Sequence, residues 1–261
     1  MSLTLSAIGA AAIALAGCAP RHQPARIYAS SSGTSRTASG PAAAEPLVVL
    51  NPGHNGGNAT HLTVINRLVP AGFVGRKTCD TTGTATKAGY PEHAFNWDVS
   101  VRVRTILQSH AVRVALTRPN DTGVGPCLDR RAAIGNQPGS VAVVSIHADP
   151  AKNNDHGFYV SYGIREPAGP EVDSKSRQLS LLIHNSLEQS SGLTPASYVG
   201  DGLGFFPRDD LAGLSLSTAP ATFLELGNMH NRGDAALQSS AADRQRIAEA
   251  VAAGILAYLR R

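Results

Sequence analysis

Cysteine is scarce in this chain. Only Cys18, Cys79 and Cys127 are present, and no two of them stand in a Cys-x-x-Cys spacing. That excludes the paired-thiolate sites that hold structural zinc in fingers and ribbons. No apolar run reaches the roughly 20 residues that a membrane-spanning helix needs; the stretch from Leu3 to Ala16 falls short of it. No Arg/Lys stripe interleaved with aromatics appears, so the sequence offers no nucleic-acid surface. No internal repeat is apparent. The net charge is a mild +4 and reads as dispersed surface Lys and Arg. What is present is an ordinary globular balance, 42% hydrophobic and 16% charged over 261 residues. Such a chain can bury a sizeable core.

The first residues read as an export signal rather than as fold. A short apolar stretch ends in Leu15-Ala16-Gly17-Cys18, small residues of the kind that mark a cleavage site. This ending resembles a bacterial lipobox, which implies a lipidated Cys18 at the start of the mature protein. The usual basic residues ahead of the apolar stretch are missing, since the first Arg is Arg21. Residues 19–45 are rich in Ser, Ala, Gly, Pro and Thr and read as a flexible tether. With Cys18 lipidated, Cys79 and Cys127 remain as a pair, for which a disulfide is the default in an oxidising compartment. Closing that loop contributes about 4 kcal/mol in the chain-entropy picture.

Folded sequence begins at Pro46-Leu47-Val48-Val49-Leu50, and no second linker follows, so residues 46–261 are expected to form one catalytic domain. Strands are expected at Leu47–Leu50, Val112–Thr117, Val141–Ile146, Phe158–Ser161 and Ala221–Leu226. Helices are expected at Pro91–Gln108, Leu128–Asn136, Asp173–Gln189 and Ala241–Leu259, the first with Pro91 in its opening turn and Phe95, Val99, Val103 and Ile106 on its core face. Continuous apolar runs such as Val141-Ala142-Val143-Val144 suit strands covered on both faces. Alternation of strand and helix predicts an α/β fold with a mostly parallel central sheet flanked by helices. Residues 55–89 are polar and Gly/Thr-rich, without period. A segment of that kind inside a compact domain is usually functional, and Cys79 would pin it.

The chemistry-bearing residues stand at strand ends. His54 follows the first strand, His147 the third, and Glu225 closes the fifth; Glu92 opens a helix. In a parallel sheet these side chains converge on the carboxyl edge. Two neutral imidazoles and one carboxylate leave zinc an open position for water, whose pKa falls to about 7, and a second carboxylate is then needed to take the proton. Composition of the site therefore calls for His54, His147 and one Glu as ligands with the other Glu as base. A Glu at the start of a helix is also favoured by the helix dipole. Glu225, inside an apolar run, is harder to place without a function, because a buried carboxylate without a partner is costly. His61, His93 and His156 are minor alternatives; His22, His110, His184 and His230 read as tether or surface residues.

Asn51-Pro52-Gly53-His54-Asn55-Gly56, Pro91-Glu92-His93, Ser145-Ile146-His147-Ala148-Asp149 and Glu225-Leu226-Gly227-Asn228 together resemble the zinc-dependent type 3 N-acetylmuramoyl-L-alanine amidases. The resemblance runs in order from Leu47 to Leu259, and Arg118, Arg131 and Asn136 also fall on recurring positions. Gly89-Tyr90-Pro91-Glu92-His93 and Gly125-Pro126-Cys127 are most similar to the small single-domain actinobacterial members. The resemblance implies His54, Glu92 and His147 as Zn2+ ligands and Glu225 as catalytic base. It also implies peptidoglycan or muramyl peptides as substrate. The chain is expected to be a monomer of the cell envelope that touches membrane only through the lipid anchor at Cys18. One departure is visible: Asn51 stands where the family usually has Asp, which keeps hydrogen bonding and loses a charge that would orient an imidazole or tune the site. Two rival readings fit the residues less well. A zinc carboxypeptidase usually carries Glu three residues after the first His, where this chain has Gly57. A non-catalytic wall-binding lipoprotein would not need all four residues.

Overall fold

The computed structural model describes residues 45–165 and 167–261. The expected signal at 1–18 and tether at 19–45, with Cys18 and His22, lie outside the described residues except for Glu45. The first strand, β1 (Leu47–Pro52), shows why the sheet forms: Val48 and Leu50 enter one core, Leu47 and Val49 another. Successive side chains of a strand point to opposite faces, so this run needs cover on both.

The aperiodic segment that follows folds into short pieces, α1 (Leu62–Ile65) and an antiparallel hairpin of β2 (Leu68–Pro70) and β3 (Arg76–Thr78). Elements of three or four residues are too short to display a hydrophobic period, which is why the sequence showed none. The Cys79–Cys127 disulfide ties the end of this hairpin to the loop before α3 (Leu128–Gly135), as the cysteine count predicted.

Between them lie α2 (Glu92–Ser109) and β4 (Arg113–Leu116). In α2, Phe95, Val99 and Val103 are buried as expected, and Leu107 rather than Ile106 completes the face. Pro91 is the N-cap in extended conformation, so Glu92 is the first helical residue. Beyond α3 come β5 (Ser140–Asp149), β6 (Tyr159–Gly163), α4 (Pro170–Ser190), β7 (Phe205–Arg208), α5 (Ala212–Ser215), β8 (Ala221–Asn228), α6 (Arg232–Ser239) and α7 (Ala241–Leu259).

The six-stranded sheet has the order β4-β1-β5-β8-β6-β7. The strands β4, β1, β5 and β8 are mutually parallel, and β6 with β7 runs the other way. The mostly parallel α/β sheet is therefore as expected. The helices α2, α4 and α7 pack on one face over Val48, Leu50, Val144 and Leu224, while α3 and α5 cover the other over Val49 and Val143. Gly254 lets α7 approach α4 so closely that a Cβ there would overlap Ile183. The hairpin, β7 and α6 were not expected; β7 reads Phe-Phe-Pro-Arg, and its proline argues against a strand unless it lies at a sheet edge, where β7 does lie. Among the described residues no helix is long and apolar enough to cross a membrane.

Candidate metal centre and active site

The carboxyl edge of β1 delivers His54 in an unusual way. His54 has φ 58°, the left-handed region that side chains other than Gly rarely adopt. Such a conformation persists where neighbours over-determine it, and here the neighbour is Arg131 of α3. Its buried guanidinium donates to the carbonyls of Pro52 (2.6 Å) and His54 (2.8 Å) and to the side chains of Asn51 (2.9 Å) and Asn55 (2.9 Å).

Glu92 is the hub. Its Oε2 lies 3.1 Å from His54 Nε2, and its Oε1 lies 3.1 Å from His147 Nδ1. Backbone N–H groups of Thr84 (3.0 Å) and Ala148 (3.2 Å), and the Asn96 amide (3.1 Å), donate to the same carboxylate. His54, Glu92 and His147 each present one donor atom, all within 4.8 Å of one another. The two rings meet edge-on at 4.9 Å, and the His147 ring stacks on Phe223 at 4.6 Å. Gly53 is required beside it, because a Cβ there would run into the His147 ring.

The far side of His54 is held too. Its Nδ1 sits 3.1 Å from the Thr81 carbonyl and 3.3 Å from Asp80 Oδ1. Asp80 is the site residue that sequence reading missed; its signal was only its place next to Cys79. Asn51 does not serve as an imidazole partner. Its Oδ1 accepts from Thr117 (2.7 Å) and Arg131, and its Nδ2 donates to Ser145 (3.0 Å). The carboxylate beside the His54 imidazole comes from Asp80 instead, so the substitution at 51 leaves that contact intact.

Glu225 stands directly opposite His147 in the parallel β5–β8 register. It is buried, and its Oε2 has no hydrogen-bond partner. Burial, then the charges of Glu92 and Asp149, push its carboxyl well above the usual range. Burial would lower His54, but its hydrogen bonds to Asp80 and Glu92 outweigh it and raise its pKa to about 10. His147 shifts the other way, lowered by burial against its hydrogen bond with Glu92. A cavity of about 520 Å³ joins His54, Glu92, His147, Phe223 and Glu225.

The remaining histidines are engaged elsewhere. His93 pairs with Asp121 (2.9 Å), His61 with the Gly57 carbonyl (2.8 Å), His156 with Thr194 (3.3 Å), and His230 with Thr84 (3.1 Å) and the Ala151 carbonyl (3.2 Å). His110 caps the end of α2. His184, read from sequence as a surface residue, is buried between Phe158 and Phe205 with its Nε2 on the Leu203 carbonyl (2.8 Å). At Gly57 a Cβ would strike the Gly123 backbone, so the carboxypeptidase-type Glu has no room.

Comparison with known proteins meets this geometry with a family. Residues 48–257 match the model of the family described as N-acetylmuramoyl-L-alanine amidase. The chain belongs to this family. N-acetylmuramoyl-L-alanine amidase Rv3717 of Mycobacterium tuberculosis is 42% identical over 217 residues, which covers 82% of this chain and 86% of the relative. The crystal structure of Ami1 from Mycobacterium smegmatis is similar with a TM-score of 0.77 at 43% identity, over 83% of this chain and 98% of that one. Ami1 from Mycobacterium abscessus gives 0.77 at 44%, over 83% and 100%. The resemblance to small single-domain actinobacterial amidases therefore holds, and the chain is a hydrolase of the peptidoglycan amidase class.

Proposed function

We propose that this amidase hydrolyses the amide between the lactyl group of N-acetylmuramic acid and L-alanine, in peptidoglycan or its fragments. His54, Glu92 and His147 hold Zn2+, and Glu225 is the general base. The observation that carries this reading is the buried, unpartnered Oε2 of Glu225 in the same cavity as three converging ligand atoms. An orphan buried carboxyl costs stability, and a catalytic position gives it a reason to be there. Zinc bound there supplies water of lowered pKa and polarises the scissile carbonyl.

The chain's own residues do the rest. Glu225 accepts the proton of the attacking water and passes it to the departing amine of L-alanine. Its raised pKa suits it to hold that proton between the two transfers. Asp80 and the Thr81 carbonyl hold Nδ1 of His54 so that Nε2 faces Glu92, the arrangement that fixes a ligating imidazole. Phe223 and the bare backbone of Gly53 hold the His147 ring.

The same reading puts the protein outside the cytoplasm as a monomer, with Cys18 lipid-anchored, residues 19–45 as tether and residues 46–261 as the catalytic domain. The disulfide suits an oxidising compartment. The test is digestion of purified peptidoglycan fragments followed by mass analysis, with and without chelator. Glu225→Gln is expected to keep zinc and lose muramyl-peptide hydrolysis. Full activity in that variant sinks the base assignment, and chelator-resistant activity sinks the metal.

A further inference from the structure

Two cations from distant parts of the chain meet on one residue at the rim of the cavity. Lys77 of β3 donates from Nζ to the Asp210 carbonyl at 2.8 Å, and it lines the cavity together with Leu211 and Ala212. Arg208, the last residue of β7, grips the Asp210 carboxylate with both arms of its fork, Nε to Oδ1 at 2.8 Å and Nη2 to Oδ2 at 2.6 Å. Tyr159 of β6, the strand beside β7, stands opposite Glu225 in the β6–β8 register.

A planar two-armed grip is the geometry by which Arg recognises carboxylates. As a structural ion pair it contributes little, because the Asp210 side chain is 53% exposed and such pairs are screened. Exposure also means that another carboxylate can exchange for it from the solvent side. Lys77 brings a second positive charge to the same spot and forms no ion pair with a carboxylate among the described residues. An Arg fork closed on an exchangeable carboxylate, with a second cation held on the main-chain carbonyl of the same residue beside a hydrolytic cavity, forms a seat for an anionic part of the substrate.

We propose that Arg208 and Lys77 bind the carboxylate of the stem-peptide residue that follows L-alanine, and that Asp210 occupies this seat until substrate arrives. The inference rests on the amidase reading of the cavity. It makes the enzyme selective for stems whose second residue is a free acid over stems in which that carboxyl is amidated, since an amide offers neither the charge nor two equivalent acceptors.

The experiment compares hydrolysis of N-acetylmuramyl-L-alanyl-D-glutamine, whose α-carboxyl is free, with N-acetylmuramyl-L-alanyl-D-glutamine α-amide, which has no free carboxyl on that residue, by the zinc-loaded protein. Calorimetric binding of the two product dipeptides, L-Ala-D-Gln and its α-amide, runs in parallel. Wild-type protein is expected to show the lower KM for the acid. Lys77→Met and Arg208→Met each raise that KM about ten-fold and bring the acid-to-amide ratio toward one. Asp210→Asn lowers the KM for the acid, because the internal competitor is weakened. A ratio unchanged in both Lys77→Met and Arg208→Met overturns the proposal, as does an equal rise for both substrates in Asp210→Asn. Should Arg208→Met fail to fold, Arg208→Lys keeps the charge and loses the fork, and is expected to lose most of the selectivity. If wild type cleaves neither substrate, the amidase reading fails by itself. The dipeptide arm then decides alone: preference for the acid that disappears in Lys77→Met supports the seat, and equal binding removes it.

Discussion

The Asp80 carboxylate lies 3.3 Å from Nδ1 of His54 and shares its other oxygen with Arg131 at 3.2 Å. Burial would raise the Asp80 carboxyl, but the His54 hydrogen bond, then the Arg131 charge and the Thr81 N–H, hold it below the usual carboxylate range. Asp80 is thus an anion that orients a proposed zinc ligand from behind. Loss of such an outer partner typically weakens metal binding about 10–100-fold. Asp80→Asn is therefore expected to lower zinc affinity by that factor in a chelator competition, whereas Glu225→Gln leaves it near wild type. Equal affinities for Asp80→Asn and wild type would reduce Asp80 to a packing residue.

The disulfide stands one residue from Asp80, so its removal should be felt twice. A loop closed over a sequence separation of 48 contributes about 4 kcal/mol in the chain-entropy picture. Cys79→Ser with Cys127→Ser is expected to lose a large part of that in urea unfolding. Zinc affinity should fall with it, because Asp80 and Thr81 are no longer tethered. A destabilised double variant with unaltered zinc affinity would separate the disulfide from the site.

Gly53 has no room for a methyl group beside the His147 ring. Gly53→Ala is expected to displace that imidazole and to cost about 10²-fold in kcat/KM, the usual effect of a misplacement near 1 Å. Circular dichroism should show an intact fold, since the sheet and helices do not depend on this contact. Near-normal turnover in Gly53→Ala would show that His147 tolerates movement.

Away from the site, Asp98 joins α2 to α7. It accepts from Arg102 at 2.8 Å and from Arg244 at 2.6 Å. Burial alone would raise its carboxyl, but these two hydrogen bonds hold it below its ordinary range. The folded state therefore binds fewer protons than the unfolded state around pH 4. The stabilisation is complete above the unfolded pKa of about 3.9 and is lost as pH falls through the lower folded value. Partly exposed pairs are screened, so Asp98→Asn is expected to cost about 1 kcal/mol at pH 7 and progressively less as pH falls below about 4. A pH-independent loss would mean that packing, not charge, accounts for it.

Strands with both faces buried were legible because apolar runs such as Val48-Val49-Leu50 can satisfy no other environment. The helix α2 was legible because Phe95, Val99 and Val103 repeat at its period. The hairpin of β2 and β3 was not, since three-residue strands carry no period, and β7 was masked by Pro207. His184 was misread for a related reason: a histidine in a helix gives no local sign of whether Phe158 and Phe205 enclose it.

The sequence by itself determined the chemistry available. His54, Glu92, His147 and Glu225 stand at the ends of strands and a helix, which places them on one edge if the sheet is parallel, as the strand–helix alternation predicts. Tertiary structure decided how they are used. Glu92 bridges both imidazoles, Arg131 reaches His54 across 77 residues, and Lys77 meets Asp210 across 133. Periodicity is a property of neighbours along the chain, whereas a hydrogen bond across such a distance depends on how whole elements pack. Asp80 and Arg208 acquire their roles only there.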